Sequence, residues 1–188
     1  MTQVQQKLEQ VTVLFAGDSG DGIQLTGTQF TTNTALFGND LSTFPDFPAE
    51  IRAPLGTIAG VSGFQIHFGS VDIYSPGDRC DVLVVMNAAA LKKNISRLKE
   101  RGTIIVNTSG FDKRNLRLAG IKEVENPLNN HSLEGFKVHE FDITKLTRES
   151  LKDSKLGTKD RDRSKNMFVL GFVYWMYNRK IDSSIDFL

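Results

Sequence analysis

Residues 81–87, Asp81-Val82-Leu83-Val84-Val85-Met86-Asn87, limit what this chain can become more than any other stretch. An apolar, β-branched run without alternation is a strand buried on both faces, as in the interior of a parallel sheet. Residues 88–100 read as a helix, Gly102 as its stop, and Thr103-Ile104-Ile105-Val106-Asn107 as a returning strand. A strand, a helix and a second strand within so short a span form a βαβ unit, which needs helices on both faces of the sheet. The expected fold is therefore α/β, a three-layer α/β/α arrangement with a mostly parallel central sheet.

The N-terminal unit has the same character. Val11-Thr12-Val13-Leu14-Phe15-Ala16-Gly17 reads as a buried strand, Asp18-Ser19-Gly20-Asp21-Gly22 as a tight turn, and 23–37 as a helix ended by Gly38-Asn39. The whole is a Rossmann-like strand, glycine loop and helix. From 42 to 60 prolines and phenylalanines accumulate, including Phe44-Pro45-Asp46-Phe47-Pro48. Proline blocks a central strand or a helix interior, so this segment reads as a long ordered loop. Residues 61–68 alternate as a strand, Ile73-Tyr74 could form another, and Val138 to Phe141 a short one. The charged stretch 151–165 reads as a solvated loop or helix approach. Residues 166–177 form a final helix, apolar nearly all round, as if buried on both sides within the fold or against another domain. One domain over 11–181 is expected, with a polar extension at 1–10 and a tail or linker at 182–188.

A glycine loop between a strand and a helix can offer backbone N–H groups and a helix N-terminus to a phosphate. Glycines at 17, 20 and 22 give Gly-x-x-Gly-x-Gly, not the dinucleotide Gly-x-Gly-x-x-Gly, and Asp40 precedes its strand instead of closing it. NAD is disfavoured. Gly17 and Gly22 have P-loop spacing, but Ile23 and Gln24 stand where Lys and Ser/Thr would be needed, so ATP hydrolysis is disfavoured too. Gly20-Asp21-Gly22 matches the opening of a thiamine-diphosphate and Mg²⁺ motif, but Asn33 and Asn39 lie too close for its downstream ligand. Two readings stand: a ligand cradle, or a tight turn that binds nothing. Asp18 and Asp21 oppose a phosphate unless their carboxylates point away.

Composition narrows the chemistry. With 23 Lys and Arg against 22 Asp and Glu, the net charge of +1 argues against broad nucleic-acid binding. Cys80 is the only cysteine, too few for a disulfide within the chain, an iron–sulfur cluster or a cysteine-rich zinc site. It reads as a packing residue. His67, His131 and His139 lack metal spacing, no catalytic triad or paired carboxylates stand out, and no catalytic or metal-ligating residue is assigned. No apolar run reaches membrane length, so a cytoplasmic protein without membrane contact is expected.

Several stretches together resemble one family. Phe15-Ala16-Gly17-Asp18-Ser19-Gly20-Asp21-Gly22-Ile23-Gln24, Pro48-Ala49-Glu50-Ile51-Arg52-Ala53-Pro54 with Gly60-Val61-Ser62-Gly63-Phe64-Gln65-Ile66, then 81–91 and Asn166-Met167-Phe168-Val169-Leu170-Gly171 resemble the gamma domain of 2-oxoacid:ferredoxin oxidoreductases. The subtype most similar is the gamma region that begins the alpha subunit of 2-oxoglutarate:ferredoxin oxidoreductases. Many relatives carry Gly-Gly-Gln-Gly where this chain has Ser19-Gly20-Asp21-Gly22, and Gly-Gly where it has Ala53-Pro54.

The resemblance implies an enzyme that decarboxylates a 2-oxoacid on thiamine diphosphate, passes electrons through iron–sulfur clusters to ferredoxin, and releases an acyl-coenzyme A. Within it this chain would help form the coenzyme A region and the assembly. Thiamine diphosphate, Mg²⁺ and the clusters would lie in partner domains, namely the remaining alpha-subunit domains and a beta subunit, in a homo- or hetero-oligomer. The chain alone would be inactive. The residues placed at the ligand are Gly17, Asp18, Ser19, Gly20, Asp21, Gly22, Gln24, Arg52 and Asn87. Arg52 could hold an anion bidentately or pair with Glu50 or a neighbouring subunit. Asn87 could meet a ligand at its strand end or cap the following helix. Asn107 and Ser109 could line the same crevice or simply form a turn. Phe44 and Phe47 could stack on an adenine or anchor their loop. Other readings are a stand-alone nucleotide-binding module, a structural interaction domain, or the same family acting on pyruvate or on branched-chain or aryl 2-oxoacids.

Overall fold

The structure, a computed structural model, describes residues 8–48 and 60–186. In chain order the elements are β1 (Gln10–Asp18), α1 (Ile23–Leu36), β2 (Asp40–Asp46), β3 (Val61–Gly69), β4 (Cys80–Val85), α2 (Ala88–Asn94) and β5 (Leu98–Asn107). They continue with α3 (Lys113–Leu118), β6 (Lys137–Phe141), α4 (Ile143–Ser150), α5 (Thr158–Arg163), α6 (Lys165–Met176) and α7 (Asp182–Ile185).

The six strands form one sheet in the order β2-β3-β1-β4-β5-β6. β1, β4, β5 and β6 run parallel, while β3 lies antiparallel to both β1 and β2. The chain builds the parallel half by βαβ crossovers and the other half by a β2–β3 return. Two cores sandwich the sheet. On one face Val13, Phe15, Ile66, Val82, Val84 and Ile105 pack under α1, α4 and α6. On the other, Leu14, Ala16, Leu83, Val85, Ile104 and Val106 pack under α2 and α3. The three-layer α/β/α arrangement with a mostly parallel sheet is thus borne out.

The aromatic centre of the first core is Phe30 of α1, fully buried. Its ring meets Phe15 edge-on at 6.0 Å, Phe68 at 5.3 Å and the Tyr174 ring of α6 at 5.9 Å. Close approach of α1 to the sheet depends on Gly27, where a Cβ would strike the Phe64 ring. The same contact explains how a threonine-rich helix of modest propensity holds its place: packing, not propensity, fixes it.

Four local expectations are corrected. Part of the loop expected at 42–60 is β2. Its Pro45 is accommodated because β2 is the outermost strand, where one edge needs no ladder hydrogen bond. Ile73-Tyr74 forms no strand; the Ile73 N–H instead donates to Asp40 Oδ2 at 2.6 Å. The helix expected over 88–100 ends at Asn94, passes through a 3-10 turn (Ile95–Arg97) and becomes β5 at Leu98. Gly102 is therefore no helix stop. It sits inside β5, where the pairing jumps from Cys80↔Leu98 to Val82↔Thr103 and Arg101 adopts φ 58°. A Cβ on Gly102 would fall 2.8 Å from the Lys99 carbonyl oxygen, so glycine allows the bulge to fold back.

Residues 61–69 are buried on both faces instead of alternating, because α1 covers one side of β3 and α2 approaches the other. In α6, Val169, Leu170, Val173 and Tyr174 are buried while Trp175 remains 65% exposed. The last four-residue helix, α7, docks through Ser184, whose Oγ lies 2.6 Å from the Tyr174 hydroxyl. Among the described residues no helix is long and apolar enough to cross a membrane.

Candidate functional site at the glycine loop

The C-terminal ends of β1 and β4 meet at one end of the sheet, at the point where neighbouring connections diverge: β1 leads to α1 on one face, β4 to α2 on the other. In open α/β sheets ligands bind in that crevice. Of the residues expected at the ligand, 17–22, Gln24 and Asn87 are gathered here. Arg52 lies outside the described residues.

The loop is tied to itself. The Asp21 N–H donates to the Asp18 carbonyl at 2.9 Å, and the Asp18 N–H donates back to Asp21 Oδ2 at 2.9 Å. A Cβ on Gly17 would stand 2.9 Å from that same Oδ2, so glycine keeps the carboxylate inside the turn. Gly22 closes the loop at φ 70° as the residue before α1, in the left-handed region that favours glycine. Gly20, at the tip, has no described residue within 4 Å of its Cβ direction.

Two further segments hold the loop. Lys165, the first residue of α6, pairs with Asp21 Oδ1 at 2.9 Å, with both side chains largely covered. Asn87 Nδ2 donates to Asp18 Oδ1 at 2.9 Å, and Asn87 Oδ1 accepts the Ala90 N–H at 2.9 Å. Asn87 thus caps α2 and at the same time binds the loop. Burial together with the neighbouring Asp21 carboxylate pushes the Asp18 carboxyl above its ordinary value, while Asn87 and Lys165 pull it back. With two carboxylates, one ammonium, two backbone amides and the Asn87 carboxamide already used internally, this arrangement is poorly suited to a phosphate.

Gln24 turns toward the sheet. Its Nε2 donates to Ser62 Oγ at 2.9 Å and to the Gly63 carbonyl at 2.8 Å, fastening α1 to β3. The next crevice is equally knitted: Asn107 Nδ2 donates to the Met86 carbonyl at 3.2 Å, and its Oδ1 accepts from the Ile143 N–H and from Ser109. Phe44 and Phe47 are exposed on β2 and just beyond it. Cys80 is fully buried at the opposite end of β4, and burial pushes its thiol up to about 12. Among the described residues no group of three or more His, Cys, Asp or Glu is gathered as for a metal ion.

Sequence reasoning missed Lys165 and the position of Asn166. Lys165 ends the stretch that reads as a charged approach and Asn166 opens the expected final helix, whereas α6 begins at Lys165 and directs its N-terminus at the glycine loop. The available signal was that Asn166 opens the last family-like stretch, which must lie near the others to share a site.

The family model described as pyruvate ferredoxin/flavodoxin oxidoreductase matches residues 12–185. The chain belongs to that family. The resemblance read from the sequence is borne out, and family membership now covers both the glycine loop and α6. Over 183 residues, 97% of the chain, it is 52% identical to 2-oxoglutarate oxidoreductase subunit KorA of Mycobacterium tuberculosis. It spans only 28% of that protein's length. Solved oxidoreductases of this kind share the fold. A 2-oxoglutarate:ferredoxin oxidoreductase from Magnetococcus marinus, with 2-oxoglutarate, coenzyme A and succinyl-CoA bound, superposes with a TM-score of 0.64. It is 24% identical, over 89% of this chain and 24% of that one. The keto/oxoacid ferredoxin oxidoreductase gamma subunit from Geobacter sulfurreducens gives 0.57 at 18% identity, over 87% of this chain and 75% of that one.

Proposed function

We propose that this chain is the gamma-type domain of a 2-oxoglutarate:ferredoxin oxidoreductase, and that its glycine-loop end faces the cleft where the acyl group passes to coenzyme A. The 52% identity to KorA across 97% of the chain is the observation that carries this reading. The loop's charge supports a particular orientation. Asp18 and Asp21 favour the uncharged, thiol-bearing arm of coenzyme A over its phosphates, and leave Arg52 as the residue for an anionic group. The space beside Gly20, clear of the described residues, is where such an arm would pass.

The role of this end is positional. Its hydrogen-bonded loop would wall the cleft and exclude water while the thioester forms. A four-thiolate cluster needs cysteines this chain does not have, and the Asp21 carboxylate is committed to the Asp18 N–H and to Lys165. In line with that, thiamine diphosphate, Mg²⁺ and clusters on this reading belong to the partner domains and beta subunit, which supply the decarboxylation and electron transfer to ferredoxin. Such an enzyme works in the cytoplasm as an oligomer, and the chain by itself is inactive.

Co-assembly with those partners tests the proposal. The complex is expected to reduce ferredoxin only when both 2-oxoglutarate and coenzyme A are present, and the isolated chain not at all. Reduction driven by pyruvate but not by 2-oxoglutarate would overturn the substrate assignment.

A further inference from the structure

The two edges of the sheet are finished differently. At β2, Pro45 brings no N–H and the Leu41 N–H is taken by Asp40 Oδ1 at 3.0 Å, so that edge is poor at accepting another strand. At the other end β6 is the last strand, and among the described residues no strand lies beyond it. Alternate backbone groups of β6 face outward without a ladder partner.

Both faces beside this open edge are unfinished. On the α3 side, Val138 and Glu140 of β6 line a cavity of about 260 Å³ with Leu128, Leu133, Phe136 and Glu134. Its lining is mainly apolar, with Asn129, His131, Glu134 and Glu140 as the polar members. Glu134 pairs with His131 at 2.7 Å on the surface, and Glu140 has no ion-pair partner among the described residues. On the α6 side, the Phe141 ring lies 5.1 Å from Phe172, and Phe172 lies 5.7 Å from the exposed Trp175.

We propose that the β6 edge, with the cavity lined by Glu134 and Glu140 on one side and the Phe172–Trp175 shelf on the other, takes a seventh strand from a partner polypeptide of the assembly. This rests on the reading of the chain as one domain of a larger enzyme. Successive side chains of a strand point to opposite faces, so the docking segment carries a lysine or arginine on its cavity side and apolar residues on its aromatic side. The methylene stem of the basic residue lies on Leu133, Phe136 and Val138, and its charge meets Glu134 and Glu140.

Amide hydrogen exchange on the assembled enzyme tests this, with 2-oxoglutarate- and coenzyme A-dependent activity measured on the same sample. The outward amides of residues 137–141 are expected to exchange at least tenfold more slowly in the complex than in the free chain. The double variant Glu134→Lys, Glu140→Lys should lose that protection while keeping the circular dichroism of the chain. An active complex with unprotected β6 amides would overturn the docking and leave the enzyme assignment standing. A stable, protected complex without that activity would overturn the assignment and support the docking, and failure to form any complex would overturn both. Protection that rises with the concentration of the free chain would identify a second copy as the occupant and overturn the proposal of a partner strand.

Discussion

Asn166 occupies the space that a side chain on Gly22 would need: a Cβ there would fall 2.5 Å from Asn166 Nδ2. The head of the last long helix thus rests on the glycine loop, and the Thr26 hydroxyl, donating to the Asn166 carbonyl at 3.3 Å, fixes α1 to it as well. Gly22→Ala meets two obstacles, the clash and a φ of 70°. It is expected to cost about 1–3 kcal/mol in urea denaturation. Adding Asn166→Ala should return only part of that loss, since the truncated neighbour relieves the clash but not the backbone strain.

The raised Asp18 carboxyl gives a pH prediction with a definite sign. The folded chain holds this proton more tightly than the unfolded chain, whose carboxyl titrates near its ordinary value of 3.8. Stability from this group is therefore present below that value and lost as pH rises through the folded one. Asp18→Asn removes the charge while its Oδ1 can still accept from Asn87. Its Tm should exceed that of the parent at pH 7, and the gap should close toward about pH 4 in thermal scans.

Cys80 should behave as part of the core. With its thiol pushed up to about 12 and fully buried, it should resist an alkylating reagent at pH 8 in the folded chain and react on unfolding. Because the unfolded thiol ionises first, near 9, stability should fall as pH rises from 9 toward 12. Mass spectrometry of labelled protein with and without denaturant checks the first point, and denaturation across that pH range checks the second.

How much of this was legible depended on the physics of each element. β1, β4 and α6 announce themselves because burial on both sides, or nearly so, leaves long apolar runs such as Val82-Leu83-Val84-Val85. β2 was hidden because Pro45 is a breaker only where both edges must pair. α3 and α4 are short and charged, but each has an aspartate cap, Asp112 on the Asn115 N–H and Asp142 on the Lys145 N–H, that could have marked its start. At the site, the loop residues were readable as a motif. The Asp21–Lys165 pair was not, since it joins opposite ends of the sequence and only the packing of α6 against α1 brings them together.

Gly20 offers the most direct test of the glycine-loop end as the coenzyme A wall. Among the described residues nothing lies within 4 Å of a Cβ there, and its backbone is not in the positive-φ region, so Gly20→Leu should leave the Tm of the isolated chain unchanged. In the assembled enzyme the added side chain would enter the space assigned to the coenzyme A arm. Steady-state kinetics of 2-oxoglutarate-dependent ferredoxin reduction should then show a KM for coenzyme A raised at least tenfold, with the KM for 2-oxoglutarate little changed. A Gly20→Leu enzyme with the parent's KM for coenzyme A would contradict the account.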